Sequence, residues 1–395
     1  MTKKNPSVCL ISFPMASTIV VNSFLHSLIN ILDPICEHIY IITSNFPENI
    51  SFSKKTKVHD LKISMHFRDE KCPKNLFLIF QSLRIIFIQV KICWALIKIS
   101  KYIDIVIFYV GGANLLLPVL VAKILGLNVI TSAIGLGSLS YKKANSDVNI
   151  TSNPVKNIFP FILNRCENII FYLSDLIIVE SRNVVNFLSL EKYAHKVFTN
   201  GARYIDTNCF KIKTELESRN NLVGYIGRLD YSKGVMNFFR SIEIISKCTD
   251  NLMFFIGGSG YLYSNIERQI KLNSCHNVEL TGWISHDEVA DYYNRLKLFV
   301  LPSYSEGLPT CILEAMACGT PVLSTPVGAI PDIIVDGKTG FIMENNSPEC
   351  IAENILRAIS SPNLEEIAKN AKELVETRFT YFNAVKNYRT MMEYL

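Results

Sequence analysis

Strong net charge, paired cysteines and repeated sequence are all missing from this chain, and each absence argues against a class of function. The formal charge is only +5, from 40 basic and 35 acidic residues, which is too mild to indicate nucleic-acid binding. None of the 11 cysteines belongs to a CxxC pair, and no cluster has the spacing of zinc ligands. Scattered cysteines in an odd number indicate reduced thiols, so we expect a reducing, cytoplasmic compartment.

What is present is a long, apolar, folded chain. Its 395 residues suggest about two domains, and 49% hydrophobic against 19% charged residues exclude a disordered protein. The start of the chain predicts a first strand rather than a signal peptide, because Pro14 interrupts its apolar run. The uncharged stretch Ile105–Ala122 has 18 residues but contains Gly111 and Pro118, which favours strand, loop and helix over a membrane span. We expect a cytoplasmic protein that is soluble or peripherally bound to a membrane.

Strand and helix patterns alternate along both halves of the chain. This alternation predicts parallel βαβ units, and the polar stretch 206–221 separates one series from the next. We therefore predict an α/β protein of two doubly wound Rossmann-like domains facing a central cleft. The predicted domains are 1–205 and 206–375, with a last helical segment, 376–395, packing back towards the first domain. Ligands of such sheets bind at the carboxyl ends of the strands.

A basic region precedes the middle of the first half. Between Lys54 and Lys101 there are eleven Lys or Arg residues against three acidic ones. Within it, a helix is predicted near 75–100, where Arg84, Lys91 and Lys98 recur every seven residues on one face. The pattern is typical of a buried crossover helix with a basic solvent face. It also fits a face that contacts an anionic membrane surface, and the region could equally meet an anionic acceptor.

The most informative stretch is 302–322, where two glutamates flank the predicted start of a helix. Glu306 lies in a Pro/Ser/Gly-rich turn, the helix is expected to begin near Pro309, and Glu314 falls in its second turn. The first turn of a helix presents free N–H groups and the positive end of the dipole, so it favours an anion. Carboxylates beside an anion site indicate a ligand with phosphate and hydroxyl groups, and a nucleotide-sugar fits.

Two further loops should lie at the same sheet edge. Arg228 and Lys233 follow the first predicted strand of the second half and could straddle a diphosphate. Gly257–Gly260 follows the next strand and permits close backbone approach to a ligand. Each signal alone has an ordinary structural explanation, respectively a surface ion pair, a turn and a helix-start glutamate. Their coincidence on one edge makes a binding site the stronger interpretation.

Read in order, these motifs resemble the family 4 retaining glycosyltransferases, which have the two-domain GT-B architecture. The resemblance covers Leu222–Phe341 and consists of GR-x4-KG, GGSG, Gly282, LPS-x2-EG-x6-EA-x-A-x-G-x-PV, VG-x2-PD and DG-x2-G. Asn200-Gly201 followed by Asp206 is similar to the family's segment at the hinge. The resemblance implies that the first domain binds the acceptor and the second binds a nucleotide-diphosphate-sugar donor.

The resemblance also implies roles for the matching residues. Arg228 and Lys233 would neutralise the diphosphate, Glu306 would bind the donor sugar, and Glu314 would bind the ribose hydroxyls. The remaining donor-binding positions would be the backbone of the phosphate loop and the residues near the base: Gly307, Leu308, Pro309, Thr310, Gly258, Trp283 and Ile284.

The implied reaction is transfer with retained anomeric configuration to a glycan or lipid-linked acceptor, in cell-envelope polysaccharide synthesis. No DxD motif occurs, so we expect metal-independent transfer without a cofactor. The first half departs from the family, since Ser12–Ser17 lacks glycine and Thr131–Gly135 lacks histidine. A non-catalytic nucleotide-sugar-binding subunit is therefore one alternative. A sugar-nucleotide epimerase or a glycan phosphorylase of the same architecture is another.

Overall fold

The computed structural model describes residues 5–12, 19–44, 46, 52–63, 74–109, 114–133, 154–199, 203–272 and 276–395. Three sequence features lie wholly or mostly outside these residues. They are the loop after the first strand beyond Ser12, the polar segment from Gly135 to Asn153 with the end of the Thr131–Gly135 stretch, and Asn200-Gly201.

Contacts divide the chain into two units. The first contains Met1–Glu180, Leu188–Ala202 and Ala384–Leu395, and the second contains Ser181–Phe187 and Arg203–Asn383. The domain limits expected from the sequence stay predictions, because contact units and functional domains are different divisions of a chain.

The first unit is built on a parallel sheet of seven strands in the order β3-β2-β1-β4-β5-β6-β7. The order reverses beside β1, which pairs with β2 on one side and β4 on the other. The strands are β1 (Val8–Ile11), β2 (Ile39–Thr43), β3 (Thr56–Asp60), β4 (Ile105–Phe108), β5 (Asn128–Ser132), β6 (Leu176–Val179) and β7 (Val197–Thr199). The helices are α1 (Ile19–Leu32), α2 (Lys74–Ile99), α3 (Leu116–Ile124) and α4 (Pro154–Leu173).

Helices α2, α3 and α4 cover one face of this sheet. Their inner side chains, such as Ile92, Val119 and Ile170, form one buried cluster with strand residues including Val106 and Phe108. α2 packs against α3, and α3 packs against α4. None of the helices in the described ranges combines the length and apolarity needed to cross a membrane.

The second unit has a parallel sheet of six strands in the order β10-β9-β8-β11-β12-β13. The order reverses between β8 and β11, so the loops after these strands border the switch point where such sheets bind ligands. The strands are β8 (Leu222–Ile226), β9 (Met253–Gly257), β10 (Val278–Thr281), β11 (Leu298–Leu301), β12 (Val322–Ser324) and β13 (Phe341–Ile342). The helices that follow α4 in the chain are α5 (Arg182–Phe187), α6 (Val235–Ile245), α7 (Tyr263–Leu272), α8 (Val289–Arg295), α9 (Thr310–Ala317), α10 (Pro348–Ile359), α11 (Leu364–Arg378) and α12 (Tyr381–Glu393).

The predicted fold class of two doubly wound α/β units is confirmed, and local details differ. Strand β3 is not expected from the sequence, because its TKVHD segment is polar and mostly exposed at the edge of the sheet. The helix expected from Ser285 begins at Val289, since the Ser285 carbonyl accepts turn hydrogen bonds from Glu288 and Val289. Three helices rather than two follow the turn at Asp336–Gly340.

Candidate active site

The loops after β8 and β9 are joined through their backbones. The Gly227 N–H donates to the Gly257 carbonyl at 3.0 Å, and the Leu229 N–H donates to the Ser259 carbonyl at 2.9 Å. Gly258 has φ of +131°, and a Cβ there would lie 1.9 Å from the Gly227 carbonyl oxygen. Only glycine fits this approach. Gly258 therefore has a structural role: it allows the loop after β9 to pack against the loop that carries Arg228.

Asp230, which no sequence signal singled out, organises the loop that carries Arg228 and Lys233. Its carboxylate lies 3.1 Å from Arg228 Nη1 and accepts hydrogen bonds from the Lys233 N–H at 3.2 Å and Ser232 Oγ at 2.5 Å. It thus caps the single 3₁₀ turn Tyr231–Lys233. The Arg228 side chain is 67% exposed, so its guanidinium is open to a charged ligand although Asp230 contacts one of its nitrogens.

Lys233 and Glu306 form an ion pair. From the sequence, Lys233 is expected to bind the diphosphate and Glu306 the donor sugar. Lys233 Nζ lies 2.7 Å from Glu306 Oε1 and 2.8 Å from Oε2. Their side chains are only 19% and 6% exposed, so the pair is largely withdrawn from water. Ser303, which belongs to the LPS-x2-EG motif but was given no role from the sequence, donates a further hydrogen bond to Oε1 at 2.6 Å. A buried carboxylate requires such partners, because its desolvation is costly.

The backbone around Glu306 is fixed from the neighbouring loop after β12. The Ala329 N–H donates to the Gly307 carbonyl at 2.8 Å, and a Cβ on Gly328 would lie 2.1 Å from the Glu306 carbonyl oxygen. The VG-x2-PD motif is thus a support for the Glu306 loop.

Helix α9 begins where the sequence predicts. Its N-cap residue is Pro309, whose side chain cannot accept hydrogen bonds from the first-turn N–H groups, and Leu308 is buried beneath the turn. Thr310 is the first helical residue. Behind it, burial raises the pKa of the Cys311 thiol, nearby Glu306 and Glu314 raise it further, and Lys233 lowers it. Both predicted carboxylates therefore lie near the first turn of one helix, where an anion is favoured.

Glu314 has its own set of partners. Tyr293 donates its hydroxyl hydrogen to Glu314 Oε2 at 3.3 Å, and His286 Nε2 lies 3.9 Å from Oε1. Burial raises the pKa of the Glu314 carboxyl, whereas His286, Tyr293 and Arg203 lower it. The sequence did not indicate Tyr293 or His286, because both precede Glu314 by more than twenty residues and carry no motif of their own.

The turn after β10 completes the predicted set. The Gly282 carbonyl accepts from the Gly258 N–H at 3.0 Å, and Ile284 packs so closely that a Cβ on Gly257 would lie 2.6 Å from its Cδ1. Trp283 is exposed. Within the described residues, no group of three or more His, Cys, Asp or Glu side chains is arranged to hold a metal ion.

Comparison with known proteins places this site in context. The family model "Glycosyl transferases group 1" matches residues 207–374, the segment that contains every predicted site residue. The chain is 32% identical over 169 residues to the capsular polysaccharide biosynthesis glycosyltransferase CapM of Staphylococcus aureus. The matched segment covers 42% of this chain and 44% of that protein. It is 25% identical over 277 residues to the alpha-D-kanosaminyltransferase of Streptomyces kanamyceticus, covering 68% and 71%.

The chain spans about half the length of the curated relatives it matches, for example 47% of a Methanocaldococcus jannaschii protein named uncharacterized glycosyltransferase MJ1178. Solved structures match over almost the whole chain. Sucrose-phosphate synthase from Thermosynechococcus elongatus has a TM-score of 0.75 at 20% identity and covers 98% of both chains. Anabaena HepE in complex with UDP has a TM-score of 0.71 at 16% identity, covering 99% and 100%. At these identities the likeness shows the fold, which is that of GT-B glycosyltransferases.

Proposed function

We propose that this protein is a retaining glycosyltransferase. It moves a hexosyl group from a nucleotide-diphosphate-sugar to a glycan or lipid-linked acceptor in cell-envelope polysaccharide synthesis. The observation that supports this most directly is the largely buried Lys233–Glu306 ion pair, with Nζ 2.7 Å from Oε1. Lys233 lies in the loop after β8 and Glu306 in the loop after β11, at the switch point of the second sheet. The match of residues 207–374 to glycosyl transferases group 1 supports the reaction class.

The charges fit the needs of sugar transfer. When the bond between the anomeric carbon and the phosphate oxygen breaks, negative charge develops on the diphosphate. That charge is stabilised by the exposed guanidinium of Arg228, by Lys233 and by the first turn of α9, whose N–H groups have no side-chain cap. These cations supply what a divalent ion supplies elsewhere, so we propose that transfer is independent of a metal and of other cofactors.

In this proposal Glu306 binds a hydroxyl group of the donor sugar. In the free protein its carboxylate is held by Lys233 and Ser303. When donor binds, the phosphate attracts Lys233 and leaves a Glu306 oxygen to accept a hydrogen bond from a sugar hydroxyl. The acceptor hydroxyl attacks the anomeric carbon from the side of the departing phosphate, which takes the acceptor's proton. Retention of configuration follows from attack on that side.

The remaining positions serve donor binding. Glu314 accepts hydrogen bonds from the ribose hydroxyls, oriented by Tyr293. Gly307, Leu308, Pro309 and Thr310 present the phosphate-binding turn, while Gly258, Trp283 and Ile284 border the base. The cysteines of the described residues are free thiols, which supports a cytoplasmic place for the reaction.

Turnover of donor tests the proposal. Purified protein is incubated with UDP-, GDP- and ADP-sugars, and release of nucleoside diphosphate is measured with and without glycan acceptors. We expect one donor to show transfer or slow hydrolysis. If a donor binds by calorimetry but none turns over, the altered Ser12–Ser17 loop favours the second candidate, a nucleotide-sugar-binding subunit without activity. If none binds, both proposals fail.

A further inference from the structure

Helix α2 has two apolar sides, and only one of them faces the protein. Ile88, Ile92 and Leu96 pack on the sheet. On the opposite side, a second apolar row recurs at intervals of three or four residues and is exposed: Leu83, Phe87, Val90, Trp94 and Ile97. Trp94 is 60% exposed. An ordinary surface helix has polar residues on its exposed side, so an exposed apolar row here indicates a surface that is covered by a partner.

The two neighbouring helices repeat the arrangement. In α3, Leu117 and Ile124 are exposed one heptad apart, and Ile124 is 82% exposed. In α4, an exposed apolar row is formed by Phe161, Ile162, Ile169 and Tyr172. Because the three helices pack side by side on the same sheet, their outward rows form one continuous surface. We call the exposed apolar residues of α2, α3 and α4 the outer helix face. Contiguous apolar surfaces of this kind mark interaction sites.

The charge of these helices has one sign. Lys74–Ile99, Leu116–Ile124 and Pro154–Leu173 together contain seven Lys or Arg residues and a single acidic residue, Glu167. Glu167 is buried, so it does not offset the cations at the surface, and of those cations Lys123 is paired with Asp175 at 2.8 Å. The surface therefore fits an apolar partner that carries negative charge.

Three of these cations lie over exposed aromatic rings. Lys98 Nζ lies 3.3 Å from the centre of the Trp94 ring, and Lys91 Nζ lies 5.0 Å from that of Phe87. In α4, the Arg165 guanidinium lies 5.0 Å from the Phe161 ring. Aromatic rings favour the interface between lipid headgroups and acyl chains, and long basic side chains can reach the lipid phosphates beside them.

We propose that the outer helix face binds the surface of an anionic lipid bilayer. Helices α2, α3 and α4 lie against the headgroups, the apolar rows enter the boundary of the acyl chains, and the cations meet lipid phosphates. A second copy of this chain is the weaker partner, because a two-fold contact would place the same cations opposite each other. The inference does not depend on the proposed glycosyl transfer.

Vesicle flotation of the full chain tests this surface. We expect binding to phosphatidylcholine vesicles that contain phosphatidylglycerol and much weaker binding to phosphatidylcholine alone. Trp94→Ser with Ile97→Ser should lower partitioning at least about ten-fold, since two inserted side chains are lost. Lys91→Glu with Lys98→Glu should do the same, since each cation near an anionic surface contributes about five-fold.

Matched variants in the second unit control for general effects. Met253→Ser with Leu272→Ser removes two exposed apolar side chains, and Lys247→Glu with Lys369→Glu makes the same change in net charge. Both should bind vesicles like the wild type. Equal losses in these variants would refute the assigned surface, as would a correctly folded wild type that ignores anionic vesicles.

Fluorescence reports insertion directly, because the chain has only 2 tryptophans. In a Trp283→Phe variant, Trp94 is the sole tryptophan. Anionic vesicles should move its emission to shorter wavelength and protect it from acrylamide. Unchanged emission from vesicle-bound protein would overturn the proposal. So would a dimer in light scattering that Trp94→Ser makes monomeric while vesicles remain unbound.

Discussion

Replacement of Lys233 by methionine tests whether the Lys233–Glu306 pair is as withdrawn from water as the structure indicates. The change keeps most of the side-chain length and leaves Glu306, 6% exposed, with Ser303 as its remaining donor. Breaking a buried pair by removing one partner costs about 3–5 kcal/mol. Because Lys233 is 19% exposed, we expect a smaller loss of unfolding free energy, about 2–3 kcal/mol. For a unit of this size, the melting temperature should fall by roughly 4–12 °C.

A double-mutant cycle separates pairing from packing. Lys233→Met combined with Glu306→Gln removes the unpaired charge, so the double variant should regain most of the stability that Lys233→Met loses. The control is Lys372→Met, which breaks the more exposed Lys372–Glu376 pair and should change stability by less than about 1 kcal/mol. Urea unfolding gives the free energies of the wild type, Lys233→Met, Glu306→Gln, the double variant and the control. Additive losses, or a Lys233→Met loss no larger than that of the control, would refute a buried coupled pair.

Three further predictions concern other parts of the site. Burial raises the pKa of Glu314 above its unfolded value, so the stabilising effect of this carboxyl is present at low pH and lost as pH rises through the folded pKa. Glu314→Gln should therefore gain stability relative to the wild type on raising the pH from about 4 upward, and thermal melts showing a constant difference would contradict this. Gly258→Ala should lose more than about 2 kcal/mol, because its Cβ meets the Gly227 carbonyl. Gly337→Ala, which has positive φ but open space, should lose only about 1 kcal/mol in the same urea titration. Excess chelator should leave donor turnover unchanged, and a large loss restored by a divalent ion would overturn the proposed metal independence.

The sequence predicts most of the second unit because its strands are short apolar runs bounded by glycine or proline. Helix α9, for example, begins at Thr310 directly after Pro309, as expected. Edge strand β3 is missed because it is mostly exposed, and an exposed strand carries no apolar signal. The sequence predicts the start of α8 at Ser285, four residues before its actual start at Val289, because a serine in a turn resembles an N-cap in sequence.

For the predicted site, the pairing of side chains could not be predicted from the sequence. Lys233 and Glu306 are 73 positions apart, so only the folded sheet shows that they bind each other. Asp230 falls at an unspecified position of GR-x4-KG, and Ser303 belongs to the LPS-x2-EG motif, which does not indicate that its hydroxyl binds Glu306. The outer helix face shows the same limit. The heptad of Arg84, Lys91 and Lys98 is visible in sequence, whereas the exposure of the apolar row beside it requires the sheet that covers the other side.

The central claim is that Glu306 serves the donor sugar at a nucleotide-sugar site, and turnover by a Glu306→Gln variant tests it most directly. The isosteric amide keeps the size of the side chain and removes its charge. The account predicts that the wild type releases nucleoside diphosphate from one nucleotide-sugar. The variant should bind the same donor and turn it over at least about a hundred-fold more slowly, the scale of losing a hydrogen bond that strengthens in the transition state. A folded variant with wild-type turnover would contradict the account.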